Sequence, residues 1–163
     1  MRIEAPLTYE GKEYELFYED TDDFSTLPME SCTQVYGVCF VDEKIIIAKN
    51  GKKNTWGLPG GTIEKGETIE ETLKREMKEE INAVVTLWAP IGYQKVTFPD
   101  GRFIYQLRVC AIVKKIGEFV NDPGGSISEN KEILPEEYKK YFDWGKIGER
   151  IIERGIEIKK DLK

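Results

Sequence analysis

Histidine is absent from the 163 residues, which excludes any chemistry built on an imidazole base or a His-ligated metal. Cysteine is scarce: Cys32, Cys39 and Cys110 are odd in number and lack CxxC spacing, so they supply neither a disulfide framework nor a tetrahedral zinc set. Cys39 and Cys110 lie in apolar runs and read as small buried hydrophobes. No apolar run approaches the roughly 18–20 residues of a spanning helix, and Met1-Arg2-Ile3-Glu4 lacks the apolar stretch of a secretory signal. The expectation is a cytoplasmic protein with no membrane partner. Basic charge is also in deficit, with 24 Lys and Arg against 30 Asp and Glu and a net charge of -6, so a long nucleic acid is an unlikely partner.

What is present suits one compact domain of mixed α/β character. Residues 1–32 read as an N-terminal extension: Tyr9, Tyr14, Leu16 and Tyr18 flank a Glu-Gly-Lys turn, which predicts a hairpin or edge ribbon. Such a ribbon needs cover, and a second copy of the chain is the expected partner, giving a homodimer. Residues 33–163 form the main domain. Gln34–Val41 and Lys44–Ala48 are strands joined around Asp42-Glu43, and Ala83–Trp88 and Ile91–Tyr93 resume strand character. Phe98–Arg102 is a turn before the long apolar strand Phe103–Val113. Asn121–Asn130 reads as a long loop, and Pro135–Phe142 and Lys146–Ile158 as terminal helices.

The most informative segment follows Trp56-Gly57-Leu58-Pro59-Gly60-Gly61. Thr68, with Glu71 three residues on, forms a capping box and opens a helix running to about Ile81. Ile69, Leu73 and Met77 make its apolar stripe, while Glu76, Glu79 and Glu80, three and four apart, converge on another face. Clustered carboxylates repel, and a hard divalent cation with oxygen preference removes that penalty. Such an ion could also tie the acids to a diphosphate. Glu67 lies two turns before Arg75 and reaches it only if the entering loop folds back over the first turns. The competing reading is a solvated Glu/Lys helix, of the kind repeated in Glu136–Lys140.

Gly61, Glu67, Arg75, Glu76, Met77, Glu79 and Glu80 match in order and spacing the signature Gly-x5-Glu-x7-Arg-Glu-U-x-Glu-Glu-x-Gly-U, where U is a bulky aliphatic residue. The segment thus resembles the box of the Nudix hydrolases. Asn82 stands in place of the signature Gly, and Asn is the residue best suited to replace it in left-handed geometry; Ala83 replaces the final bulky residue. The resemblance implies a Nudix-like α/β/α sandwich with a mixed central sheet and the N-terminal β extension added. It implies hydrolysis of a diphosphate linkage in a nucleoside diphosphate-X compound or nucleoside triphosphate with Mg²⁺ or Mn²⁺. The implied ligands are Glu76, Glu79, Glu80 and the Gly60 carbonyl. Glu76, ahead of Glu79, is expected to orient or deprotonate water, and Glu67 supports the site through Arg75. Some relatives use a distant acid on a later loop, for which Glu129 and Glu132 are candidates.

Outside the box, Lys49, Lys52, Lys53 and Arg102 are candidate phosphate contacts, against the reading of ordinary solvated turn residues. Tyr36, Trp56, Tyr93, Phe103 and Tyr105 are candidate base-stacking residues, against core packing. Arg108 interrupts an apolar strand, and an outer-face position competes with a substrate or dimer contact. Rival functions are RNA 5′-end pyrophosphohydrolysis and noncatalytic nucleotide binding by a regulator.

Overall fold

The computed structural model describes residues 1–123 and 125–162. Its strands are β1 (Arg2–Tyr9), β2 (Lys12–Asp20), β3 (Cys32–Val41), β4 (Lys44–Asn50), β5 (Thr55–Gly57), β6 (Gly60–Thr62), β7 (Ala83–Thr97), β8 (Phe103–Lys115) and β9 (Ile127–Ile133). Two helices, α1 (Ile69–Ile81) and α2 (Gly145–Lys159), complete the framework. The sheet runs β1-β2-β7-β8-β3-β4-β5, with β6 added to β3 and β9 to β4. β3 and β8 are parallel and the remaining pairs are antiparallel, so the sheet is mixed.

Strand alternation divides the core into two layers, because successive side chains leave opposite faces of a sheet. Val35, Cys39, Ile46, Leu107, Val109 and Ala111 pack with Leu73, Met77 and Ile81 of α1. Val38, Phe40, Ile45, Ile47 and Cys110 pack on the other face with Ile147, Ile151 and Ile152 of α2. The result is an α/β/α sandwich. Among the described residues, no helix is long and apolar enough to cross a membrane.

α1 begins as its sequence dictates. The Thr68 side chain accepts from the Glu71 N–H, and Glu71 accepts from the Thr68 N–H, completing the capping box. It ends at Asn82, whose φ of 48° is left-handed, so the departure from glycine preserves the turn.

The N-terminal hairpin forms as expected, and it extends the chain's own sheet through β2. Residues Glu15–Asp20 of β2 pair with Gly92–Thr97 of β7. Asp20 at its end is bound by Arg150 of α2 at 2.5 Å, and buried Tyr18 donates to the Ile91 carbonyl at 3.2 Å.

Three other elements differ from the sequence expectation. β7 is one continuous strand, and Pro90, which has no N–H to give, is accommodated by a register shift between Pro90 and Gly92. Ser128–Asn130 belongs to β9, held by β4 along Ile45–Asn50, so only the preceding part of the expected loop is irregular. Pro135–Lys140 is a 3-10 helix rather than an α-helix.

Candidate active site

The cleft opens where β3 changes neighbour: Gln34–Tyr36 pair with β6, whereas Cys39–Val41 pair with β4. Its volume is about 1,090 Å³, and Glu76, Glu79, Glu80 and Arg75 of α1 face it together with Gly60 and Gly61. The two glycines let helix and strand approach. Gly60 has φ +151°, and a Cβ there would collide with the Val35 carbonyl. Its N–H donates to Glu80 Oε1 at 2.9 Å. A Cβ on Gly61 would lie 2.5 Å from Glu76 Oε1, so the missing side chain is the space the Glu76 carboxylate occupies.

Arg75 is the hub of this face. Its Nε and Nη2 donate to Glu67 at 2.8 and 2.9 Å, and Nη2 also donates to the Thr62 carbonyl at 3.0 Å. Nη1 donates to Glu76 at 2.9 Å and to Glu79 at 3.5 Å. The loop therefore does fold back over the first turns of α1. Glu67 accepts further bonds from the Glu64 N–H and the Thr72 hydroxyl. The Arg75 guanidinium, outweighing slight burial, holds its carboxyl down to about 2.

The deeper acids are shifted the other way. Burial pushes Glu80 up to about 8 against the Gly60 N–H, and Glu76, Asp122 and Glu79 push it further. Burial also raises Glu76, although Arg75 opposes the shift. Buried Glu76 and half-buried Glu80, under mutual repulsion, are a donor set suited to a hard cation, all oxygen and no nitrogen or sulfur. In this arrangement Glu76 and Glu79 are turned to Arg75 and Glu80 to Gly60. Accordingly, no three acidic side chains among the described residues are gathered as a ready ligand cluster.

The other candidates separate into those at the cleft and those away from it. Trp56 and Tyr36 line it, with Trp56 resting edge-on against Tyr141 at 5.6 Å. Lys49 lies opposite Trp56 with its Nζ 6.0 Å from the ring, whereas Lys53 rather than exposed Lys52 lines the cleft. Arg102 sits in the β7–β8 turn, bound to Asp100 at 2.7 Å and outside the lining. Tyr93 and Phe103 each pack edge-to-face on Tyr105, also outside it.

Glu129 and Glu132 are exposed on β9, and the acid that reaches the cleft from this region is Asp122. Asp122 lies in Asn-Asp-Pro-Gly-Gly, which reads as an ordinary turn; no sequence signal sets its carboxylate apart. Arg108 is buried and lines the cleft, so it is not an outer-face residue.

A family model described as the NUDIX domain matches residues 33–154, three quarters of the chain and the whole of the carboxylate helix. The chain belongs to the NUDIX family. An ADP-ribose pyrophosphatase of Methanocaldococcus jannaschii is 36% identical over 69 residues, covering 40% of this Nudix chain and 41% of the relative. An 8-oxo-dGTP diphosphatase of Buchnera aphidicola is 39% identical over 49 residues, covering 30% and 40%. The chain thus spans less than half the length of these curated relatives. The crystal structure of a point mutant of the Bacillus subtilis pyrophosphohydrolase BsRppH superposes with a TM-score of 0.70 at 19% identity, covering 88% of this chain and 92% of that one. That likeness is one of fold.

Proposed function

We propose that this Nudix chain hydrolyses a diphosphate linkage in a small nucleotide, either a nucleoside diphosphate-X compound or a nucleoside triphosphate, with Mg²⁺ or Mn²⁺. The observation that carries the reading is the convergence of Glu76, Glu79 and Glu80 with Gly60 and Gly61 on one cleft large enough for a nucleotide. The names of the two curated relatives point to the same bond class.

When bound, a divalent cation would neutralise the acids and the diphosphate and polarise the phosphorus under attack. Glu76, Glu79 and Glu80 are the residues to hold it, each turning from its present partner, Arg75 or the Gly60 N–H. Glu76 or Glu79 orients the attacking water and takes its proton as the water oxygen bonds to one phosphorus; the P–O bond to the bridging oxygen breaks, and that oxygen leaves with the other phosphate, while Asp122 offers a further proton acceptor. Arg75, anchored by Glu67 and Thr62, keeps the loop against α1 while these acids move. Trp56 and Tyr36 supply ring surface for the nucleotide.

Retention of all three helix acids favours catalysis over a purely regulatory binding role. The net charge of -6 offers no track for a long RNA, so 5′-end hydrolysis stands second. The test is a panel of ADP-ribose, UDP-sugars, dinucleoside polyphosphates, nucleoside triphosphates and 5′-triphosphorylated RNA with Mg²⁺, with products separated by mass. Cleavage of a small nucleotide at its diphosphate supports the reading. Cleavage of the RNA alone shifts it to the rival, and turnover of nothing in the panel rejects hydrolysis.

A further inference from the structure

Beyond the acids, the cleft has a floor that they do not explain. Two rows of paired positions cross β3, β8 and β7 in register on the face toward α2. One row is Gln34, Gln106 and Gln94; the next is Tyr36, Arg108 and Gly92. Tyr36 is in turn paired with Gly60, so Arg108 stands two strand spacings, about 10 Å, from the backbone beside Glu80. That is the scale of a ribose and base attached to a diphosphate.

Arg108 is an anomaly of charge balance. It is only 5% exposed and forms no salt bridge among the described residues; its Nε has no partner there. Its other bonds are long, 3.4 Å to the Leu107 carbonyl and 3.3 Å to Gln106 Oε1. Burial lowers it to about 10, so it remains a cation at neutral pH. Burying a guanidinium without a counter-charge is strongly unfavourable, and a ligand that supplies the missing acceptors offsets that penalty. The Tyr36 ring, 5.0 Å from the guanidinium carbon, holds it in place.

The polarity of the floor follows from Arg108. Arginine only donates, so Gln106 must turn its oxygen toward it. Gln106 then donates through Nε2 to Gln34 Oε1 at 2.7 Å, which leaves Gln34 ending the chain as a donor. Both ends of this network seek acceptors. The neighbours are neutral amides and a phenol rather than further cations, a pattern suited to a neutral acceptor edge and not to a second phosphate.

We propose that Arg108 is the specificity-determining residue of this cleft, reading the adjacent N7 and O6 acceptors of a 6-oxopurine nucleotide, with the glutamine row completing the donor surface. A guanidinium meets those two atoms together, whereas adenine presents N7 beside an amino donor that Arg108 would repel. The proposal rests on the cleft being the nucleotide site, and it assigns that site its base.

The experiment measures binding of GMP, IMP and AMP by calorimetry without divalent cation, so no hydrolysis is involved, in the wild-type chain and in Arg108→Met and Arg108→Lys. GMP and IMP should bind at least about tenfold more tightly than AMP. Arg108→Met should abolish that preference by weakening GMP and IMP at least about tenfold while AMP affinity is kept or raised; Arg108→Lys, a charge without the fork, should keep only part of it. The melting temperature of Arg108→Met should be unchanged or higher, since the charge removed has no partner; a purely structural role would lower it. Equal binding of GMP and AMP, or equal loss of both in Arg108→Met, would overturn the proposal. If base preference is found with no hydrolysis of any diphosphate, the catalytic reading fails and this one stands; hydrolysis without base preference is the reverse.

Discussion

Gly61→Ala separates the arrangement of the site from the stability of the fold. Gly61 is fixed by its pairing with Val35, so an added methyl cannot swing away with the backbone. The new carbon would lie 2.5, 2.7 and 3.0 Å from Glu76 Oε1, Cδ and Oε2, whereas ordinary contact begins near 3.4 Å. The Glu76 carboxyl must therefore retreat by close to an ångström. The displaced group is the end of a flexible side chain, so the stability cost falls at the low end of overpacking penalties, about 1 kcal/mol, or about 2–4 °C in melting temperature. The catalytic cost is larger. A ligand acid misplaced by about 1 Å lowers turnover by about a hundredfold, equivalent to about 2.7 kcal/mol of barrier. The assay is kcat and KM on the best substrate of the nucleotide panel across a Mg²⁺ series, beside thermal unfolding. Turnover within threefold of wild type at ordinary Mg²⁺ would refute the claim that Gly61 is small to make room for a working Glu76.

Asp20 offers a test of how the hairpin is docked. Burial pushes its carboxyl up, but the hydrogen bonds and charge of Arg150 outweigh this and leave it below the ordinary 3.8. A depressed folded-state value stabilises above the unfolded value and is lost as pH falls through the folded one, so Asp20→Asn should lower the melting temperature at pH 7 and converge with wild type in acid below 3.8; a gap independent of pH would contradict the ion-pair account. Asp122 lines the cleft beside acids whose protonation it affects, so Asp122→Asn should lower kcat at least about tenfold with little change in melting temperature. Full activity would remove it from the site.

The sequence exposes α1 almost completely because its signals are local. The Thr68–Glu71 capping box, the Ile69-Leu73-Met77 stripe and Asn82 at the left-handed position each act within a few residues. The Glu67–Arg75 pair is legible for the same reason once the loop must turn back. β9 is hidden because Ile127-Ser128-Glu129-Asn130-Lys131-Glu132-Ile133 has little apolar alternation; the backbone edge of β4, not side-chain burial, makes it a strand. Asp122 is hidden with it, since only the return of the chain to β4 brings its carboxylate to the cleft. Arg108 lies between. Its interruption of an apolar strand shows in the sequence, but whether its face meets solvent, a second subunit or a cleft depends on β6 pairing with only the first part of β3. The N-terminal ribbon shows the same limit: the hairpin is local, while its neighbour β7 is about eighty residues away in sequence.

Under the proposed function, the acids of α1 come together around a divalent cation when nucleotide is present. Titration of Mn²⁺ into the chain with a nonhydrolysable nucleotide, followed by paramagnetic resonance and calorimetry, measures this directly. The expected result is saturable uptake that competes with Mg²⁺ and weakens by more than tenfold in Glu79→Gln and in Glu80→Gln, with the fold intact by circular dichroism. Absence of uptake in wild type, or uptake that neither substitution alters, would contradict it.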